Sequence, residues 1–278
     1  MHVTNPILTN GRFLLRLAES KADFDRVLAL RQRAFRSGKG PAGPGTDADE
    51  FDARCRHIFV EDRATGMVAA TFRLQFFDSG AGIGRSYAAG FYDLAALEGY
   101  DRPMAEFGRF CLAPGHGDPD LLRLVWSALA ALTVGQGVAM AFGCTSFLGT
   151  DAAPYGDALA HLGADHGPPQ KWRPGVIAPE VVAFAARAPA AGLDKAKAMQ
   201  QMPPLLRSYL AMGAWVSDHA VIDRDLGTIH VFTALEAVSI PPRRLRALLD
   251  LAGRAGPMAV WPDQGKTARS DLETGGCL

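Results

Sequence analysis

Residues 104–112, MAEFGRFCL, read as a buried strand through Met104, Phe107, Phe110, Cys111 and Leu112, yet the stretch carries Glu106 and Arg109 around Gly108. A carboxylate held in a cleft accepts a proton, and a guanidinium grips a carboxylate through two parallel hydrogen bonds. Residues three apart on an ideal strand point to opposite faces. A bulge at or near Gly108 changes that parity and brings both charges to one face, and bulges are common beside active sites.

Other charges fall on segments that read as buried. Arg31 shares the apolar stripe of Phe24, Val27, Leu28 and Phe35 on a helix expected over roughly 21–36, opened by a Ser20–Asp23 capping box. Arg73 falls opposite the strand face built from Val68, Ala70, Phe72, Leu74 and Phe76. Asp49 and Asp52 lie in DADEFDARC, delivered by a loop over 37–46 too dense in Gly and Pro for helix or central strand. Together Arg31, Arg73, Arg109, Asp49, Asp52 and Glu106 form a self-neutral set, as desolvated charges require. Spacing alone leaves open whether this is a catalytic cluster or a structural salt-bridge network. Cys111 and Cys144 read as small buried hydrophobes rather than nucleophiles. The seven histidines show no metal-ligand spacing, so no metal site is expected.

These side chains need a frame. HIFVED and MVAATFRLQFF, separated by RATG, read as a hairpin. Asp118 as N-cap with Pro119 at the first position opens an apolar helix that ends at Gly135 or Gly137. VAMAFGCTSF (138–147) is a second short buried strand, and PPLLRSYLAMGA (203–214) a helix. Residues 219–240 hold two strands around a turn at Asp225 and Gly227. Residues 150–200, rich in Ala, Pro and Gly, read as an inserted excursion of loops and short helices. The expectation is one α/β domain over 1–250, a mixed layer rather than regular βαβ alternation, with a polar tail over 251–278.

A chain of 278 residues, 48% hydrophobic and of zero formal net charge, buries a sizeable core but offers no basic stripe for nucleic acid. Cysteines at 55, 111, 144 and 277 form no C-x-x-C pair, and MHVTNPILTN lacks a secretion pattern, which points to the cytoplasm. Apolar runs such as VWSALAALTV stop short of the ~20 residues that span a bilayer, so any membrane contact is peripheral. The basic run PPRRLR (241–246) reads first as a solvated helix face.

The pattern Arg31-x-x-x-Phe35, Asp49-x-x-Asp52, Arg73 and Glu106-x-x-Arg109-Phe110 resembles that of the acyl-homoserine-lactone synthases and their relatives in the GNAT-like superfamily. FDARCRHIFV, EFGRFCL, FGCTSFLGTD and PPLLRSYLAMGAWV look more specifically like the bacterial ornithine N-acyltransferases that make lyso-ornithine lipid. The likeness runs from about residue 11 to 240, and GCTSFLGTD (143–151) is its most specific block. It implies a mixed, mostly antiparallel sheet flanked by helices and splayed between two central strands, here 104–112 and 138–147. It implies transfer of a (3-hydroxy)fatty acyl group from acyl carrier protein to the α-amino group of an amino acid for membrane lipid synthesis. Ornithine is the first acceptor to expect, glutamine or another amino acid the alternative.

No bound cofactor is implied, since the carrier's phosphopantetheine brings the thioester. On the resemblance, Glu106, Asp49 and Asp52 are catalytic, with Glu106 taking the amine's proton. Arg31, Phe35, Arg73, Arg109, Phe110, Cys144 and Ser146 hold substrate, and backbone N–H groups of the bulged strand meet the oxyanion. The setting implied is cytoplasmic, peripheral on the inner membrane. A lactone-type signal synthase using S-adenosylmethionine and a non-catalytic fatty-acyl or carrier-binding module are the competing readings.

Overall fold

The computed structural model describes residues 7–36, 46–115, 118–184 and 194–254, so nearly all of the loop expected over 37–46 and of the polar tail lies outside the described residues. The chain opens with β1 (Leu8–Asn10) and β2 (Phe13–Leu17), a hairpin the sequence reading did not contain. Helix α1 (Lys21–Arg31) starts at the expected capping box: Ser20 Oγ accepts the N–H of Asp23 at 3.1 Å and Ser20 N–H donates to Asp23 Oδ2 at 3.4 Å. Its last turn widens into a π-helical segment, Gln32–Arg36, so the helical stretch ends at the expected residue but with a changed pitch.

Strands β3 (Arg56–Asp62) and β4 (Met67–Phe77) form the expected hairpin. Between β4 and the next long strand the chain makes short 3₁₀ turns, β5 (Tyr92–Asp93) and α2 (Ala95–Glu98). Strand β6 (Met104–Leu112) leads to α3 (Pro119–Gly135), where Asp118 accepts the N–H of Asp120 at 2.8 Å as N-cap, as its sequence dictates. Then follow β7 (Met140–Leu148), α4 (Gly156–Asp165), β8 (Gly175–Val176), β9 (Val181–Ala183), α5 (Lys195–Gln201) and α6 (Pro204–Leu210). The chain closes with β10 (Trp215–Asp223), β11 (Thr228–Glu236) and α7 (Pro242–Arg254).

Nine strands form one sheet in the order β1-β2-β3-β4-β6-β7-β11-β10-β9. All pairings are antiparallel except β6 with β7, which are joined by the crossover helix α3. That parallel pair is short. Its register runs Met104↔Met140, Ala105↔Ala141, Glu106↔Phe142 and stops. Past this point the strands part, β6 staying with β4 and β7 staying with β11 through Leu148↔Thr228. The sheet is therefore splayed between the two strands expected to open.

Two bulges set which side chains face which side. In β4 the register jumps between Val60↔Ala70 and Glu61↔Val68, so Ala69 is extra and Val68 turns away from the face of Ala70, Phe72 and Leu74. Val68 packs instead with Val27 and Leu30 of α1, a correction to strict alternation along β4. The face of Phe72 and Leu74 buries against Leu121, Leu124, Val125 and Ala128 of α3. Arg73 lies on the opposite face, as expected, and pairs there with Asp52 at 2.5 Å.

Where the strands part, Gly143 is the tightest point: a Cβ there would lie 2.2 Å from the carbonyl oxygen of Phe107. Only a glycine lets the two backbones touch before they separate. Gly143→Ala is expected to cost about 1–3 kcal/mol, the usual penalty of overpacking, as a lowered urea midpoint at unchanged slope.

Candidate active site

The bulge expected in β6 is present. The register passes from Arg73↔Gly108 to Thr71↔Cys111, so Phe72 opposes both Arg109 and Phe110. Arg109 takes φ +51°, and no other non-glycine among the described residues has a positive φ. This conformation costs an L-residue roughly 1–2 kcal/mol. It turns Arg109 to the same side as Glu106.

What holds Arg109 there is a buried ionic network. Its guanidinium lies 3.2 Å from Asp47 Oδ2 and 3.0 Å from Asp49 Oδ2, and stacks over the rings of Tyr87 at 4.9 Å and Phe35 at 5.7 Å. Arg73 NH1 donates to both Asp49 Oδ1 and Asp52 Oδ1 at 2.5 Å. Arg31, only 1% exposed, reaches Asp47 Oδ2 at 2.9 Å, Asp52 Oδ1 at 2.8 Å and the Asp47 carbonyl at 2.5 Å. Three arginines from α1, β4 and β6, joined by Arg36 at 3.2 Å from Asp47 Oδ1, thus close on three aspartates, Asp47, Asp49 and Asp52. Burial alone would raise the Asp52 carboxyl, but the hydrogen bonds from Arg31 and the Asp49 N–H hold it below the ordinary value.

Glu106 stands apart from this network, contrary to its expected place within it. Its two oxygens accept the backbone N–H groups of Tyr87 at 2.9 Å and Ala88 at 2.8 Å. Burial pushes its carboxyl above the ordinary carboxylate value, against the pull of those two N–H bonds. The arginine-held set takes Asp47 in its place.

A cavity of about 420 Å³ fills the splay and passes through the sheet. On the α1 side it is lined by Arg73, Tyr87, Glu106, Arg109, Cys144 and His230. On the α3 side its walls are apolar, with Phe107, Phe110, Leu112, Leu205 and Tyr209. The cavity is thus polar at one end and greasy at the other. A size of 300–1,000 Å³ is usual for a small-molecule site.

Of the expected residues, Glu106, Phe35, Arg73, Arg109, Phe110, Cys144 and Ser146 line this cavity, the last at its exposed rim. Arg31, Asp49 and Asp52 do not; every oxygen of both aspartates already accepts a hydrogen bond. They hold the arginines and do not touch the cavity. Sequence reasoning missed Asp47, Tyr87, Tyr209, Asp223 and His230. The alternating Asp47-x-Asp49 was a readable signal for the first. The others sit on segments whose approach to the cavity depends on long-range packing.

The thiols are poor nucleophiles. Burial pushes Cys55 and Cys111 up to about 12, and burial with the charge of Glu106 pushes Cys144 well up. Burial, then the neighbouring His219, lowers the His230 imidazole to about 4. Its ring lies 3.2 Å from the Tyr92 hydroxyl, which donates to the His230 carbonyl at 2.8 Å. Among the described residues no group of three or more His, Cys, Asp or Glu side chains is arranged to hold a metal ion. No described helix is long and apolar enough to cross a membrane.

Residues 30–127, which carry the α1 arginine, the aspartate loop and the bulged strand, match the family model described as an acetyltransferase (GNAT) domain. Over that stretch the fold is similar to that of the GNAT acyltransferases. The L-ornithine Nα-acyltransferase of Rhodobacter capsulatus is 32% identical over 233 residues, 80% of this chain and 89% of that protein. The enzyme of the same name from Brucella abortus is 30% identical over 247 residues, 84% of this chain and 87% of that protein. The chain belongs to the L-ornithine Nα-acyltransferase family. Among solved structures, an N-acyl amino acid synthase from uncultured soil microbes aligns with 87% of this chain and 98% of its own, at 11% identity and a TM-score of 0.44.

Two measurements check this description of the site. Asp47→Asn leaves Arg31 and Arg109 under-neutralised in the interior and is expected to cost about 3–5 kcal/mol in urea unfolding. Asp25→Asn, which breaks the exposed Lys21–Asp25 pair, should leave the midpoint unmoved.

His230 supplies a pH signature. Its pKa is 6.5 when unfolded and about 4 when folded, so the stability it contributes is complete above 6.5 and lost as pH falls toward 4. His230→Gln should flatten that part of the stability–pH curve; an unchanged curve would show that the ring takes up its proton freely in the folded state.

Proposed function

We propose that this enzyme transfers a (3-hydroxy)fatty acyl group from acyl carrier protein to the α-amino group of ornithine, giving a lyso-aminolipid for the membrane. The observation that carries the reading is the two-ended cavity: Glu106 and two arginines on one side of the splayed sheet, apolar walls on the other. An acylated amino acid has the same two ends. The names of the relatives support ornithine as acceptor. The sequence before α3, PGHGD, lacks the Arg or Gln that leads the G-x-G/A signature of acetyl-CoA binders, which supports a carrier-borne donor.

In this account the pantetheine arm lies between the parted edges of β6 and β7, and the acyl chain runs toward Phe107, Phe110 and Tyr209. Arg73 uses only NH1 on the aspartates, and its remaining N–H groups, with those of Arg109, grip the acceptor's α-carboxylate. Glu106 takes a proton from the α-ammonium, because only the free amine attacks a thioester. The amine nitrogen bonds to the thioester carbon, and backbone N–H groups along the opened edge hold the oxyanion. Collapse breaks the C–S bond, the nitrogen's surplus proton passes to the departing sulfur, and Glu106 returns its own to water. Asp47, Asp49 and Asp52 are positioning residues that fix the two arginines. The product is amphiphilic, and its release at the inner face of the membrane suits a peripheral protein.

The test is reconstitution with 3-hydroxyacyl carrier protein and single amino acids, with products read by mass. Acylated ornithine is expected. Product with S-adenosylmethionine and release of methylthioadenosine would contradict the reading, as would binding of acyl carrier without any product. Glu106→Gln should lower kcat about 10²- to 10⁴-fold, the usual worth of a positioned base. Because burial raises the Glu106 carboxyl, the acid limb of kcat/KM against pH should lie above 4.5, and it should vanish in the Gln variant.

A further inference from the structure

Six carboxylates are buried among the described residues: Asp23, Asp47, Asp52, Asp62, Glu106 and Asp223. A buried carboxylate needs a cation or several hydrogen bonds. Asp23 has Arg16, Asp47 and Asp52 have Arg31, Asp62 has Arg12, and Glu106 has two backbone N–H groups. Asp223 is the exception. It is 5% exposed, and its one hydrogen bond is from the N–H of Leu226 to Oδ1 at 2.9 Å.

Its neighbours in the chain do not neutralise it. Arg224 turns outward to a two-pronged pair with Glu180, and Asp225 pairs with Arg36 at 2.6 Å. Asp223 ends β10, opposite Thr228 of β11, and both line the catalytic cavity with His230. The wall therefore carries a carboxylate whose second oxygen no described residue engages. Its charge reaches Tyr87 and Cys144, which flank Glu106 and Arg109 in the same cavity.

We infer that Asp223 binds the side-chain ammonium of the acceptor and is what selects a diamino acid over a neutral one. This rests on the proposed acyl transfer and assigns its acceptor specificity. The cavity then offers each acceptor group a complement. Arg73 and Arg109 meet the α-carboxylate, Glu106 meets the α-amine, and Asp223 meets the cation at the end of the side chain. The donor's pantetheine arm carries a phosphate, which Asp223 repels, so the cation belongs to the acceptor. Glutamine would leave Asp223 buried and uncompensated, and a site built to pair a charged group rejects an analogue lacking it.

The test compares ornithine with 2-aminopentanoate, which has the same carbon chain without the terminal amine, in wild type and Asp223→Asn. Asn keeps an oxygen for the Leu226 N–H and removes the charge. The variant should raise KM for ornithine about 10- to 100-fold with kcat little changed, and leave KM for 2-aminopentanoate unmoved or lower. Its melting temperature without substrate should equal or exceed that of wild type, since an uncompensated charge is gone. Calorimetric binding of the two amino acids to the enzyme alone should show the same loss of discrimination without turnover.

Equal loss for both acceptors, or unchanged ornithine binding in Asp223→Asn, would overturn the inference. So would a wild type that prefers 2-aminopentanoate or glutamine, although that result leaves acyl transfer itself standing. A wild type that binds ornithine selectively through Asp223 but acylates nothing would instead sink the proposed reaction.

Discussion

One arginine in a strained conformation organises this molecule. Arg109 has a left-handed backbone inside a strand, where it has no intrinsic reason to be. Its pairs with Asp47 and Asp49 and its stacking on Phe35 and Tyr87 offset that strain. The bulge it creates turns Arg109 toward Glu106 and leaves Phe107 and Phe110 on the α3 side. A single extra residue thus separates the polar from the apolar end of the cavity.

The same bulge lies just beyond the place where β6 leaves β7. Two constraints act there together. Gly143 lets the backbones touch at Phe107, and the loss of pairing after Glu106 opens the strands on the next residues. Opposed backbone edges in a sheet interior would ordinarily close on each other, but β6 is anchored to β4 and, through Arg109, to the aspartate loop and α1. On the other side β7 is locked to β11 along its whole length. The cavity is held open from both flanks by sheet pairing and by charge.

Much of this was legible in the sequence, for identifiable reasons. Capping at Ser20 and Asp118 is local chemistry, and both helices begin where those residues place them. Glu106 and Arg109 three apart on an apolar strand could share a face only through a bulge, and the bulge is at Gly108–Phe110. Strict alternation puts Val68 on the wrong face because the bulge at Ala69 has no sequence mark: no glycine or proline stands there. The opening hairpin at Leu8–Leu17 carries a readable mark in Asn10-Gly11, with Gly11 at φ +50°, whereas the edge strand β9 is short and depends on neighbours for its pairing. Charge balance places Glu106 among the arginines. Its real partners, the N–H groups of Tyr87 and Ala88, belong to backbone and leave no trace in residue identity. Asp223 and Tyr209 escaped notice because only the finished sheet and α6 bring them to the cavity.

The central claim is that the cavity between β6 and β7 is where amine and thioester meet. A crystal structure with the N-acyl-ornithine product bound tests it most directly. The account predicts the amide nitrogen beside Glu106, the α-carboxylate on Arg73 and Arg109, and the acyl chain running past Phe107 toward Tyr209. Product bound elsewhere, or an acyl chain lying on the α1 side among the arginines, would contradict it.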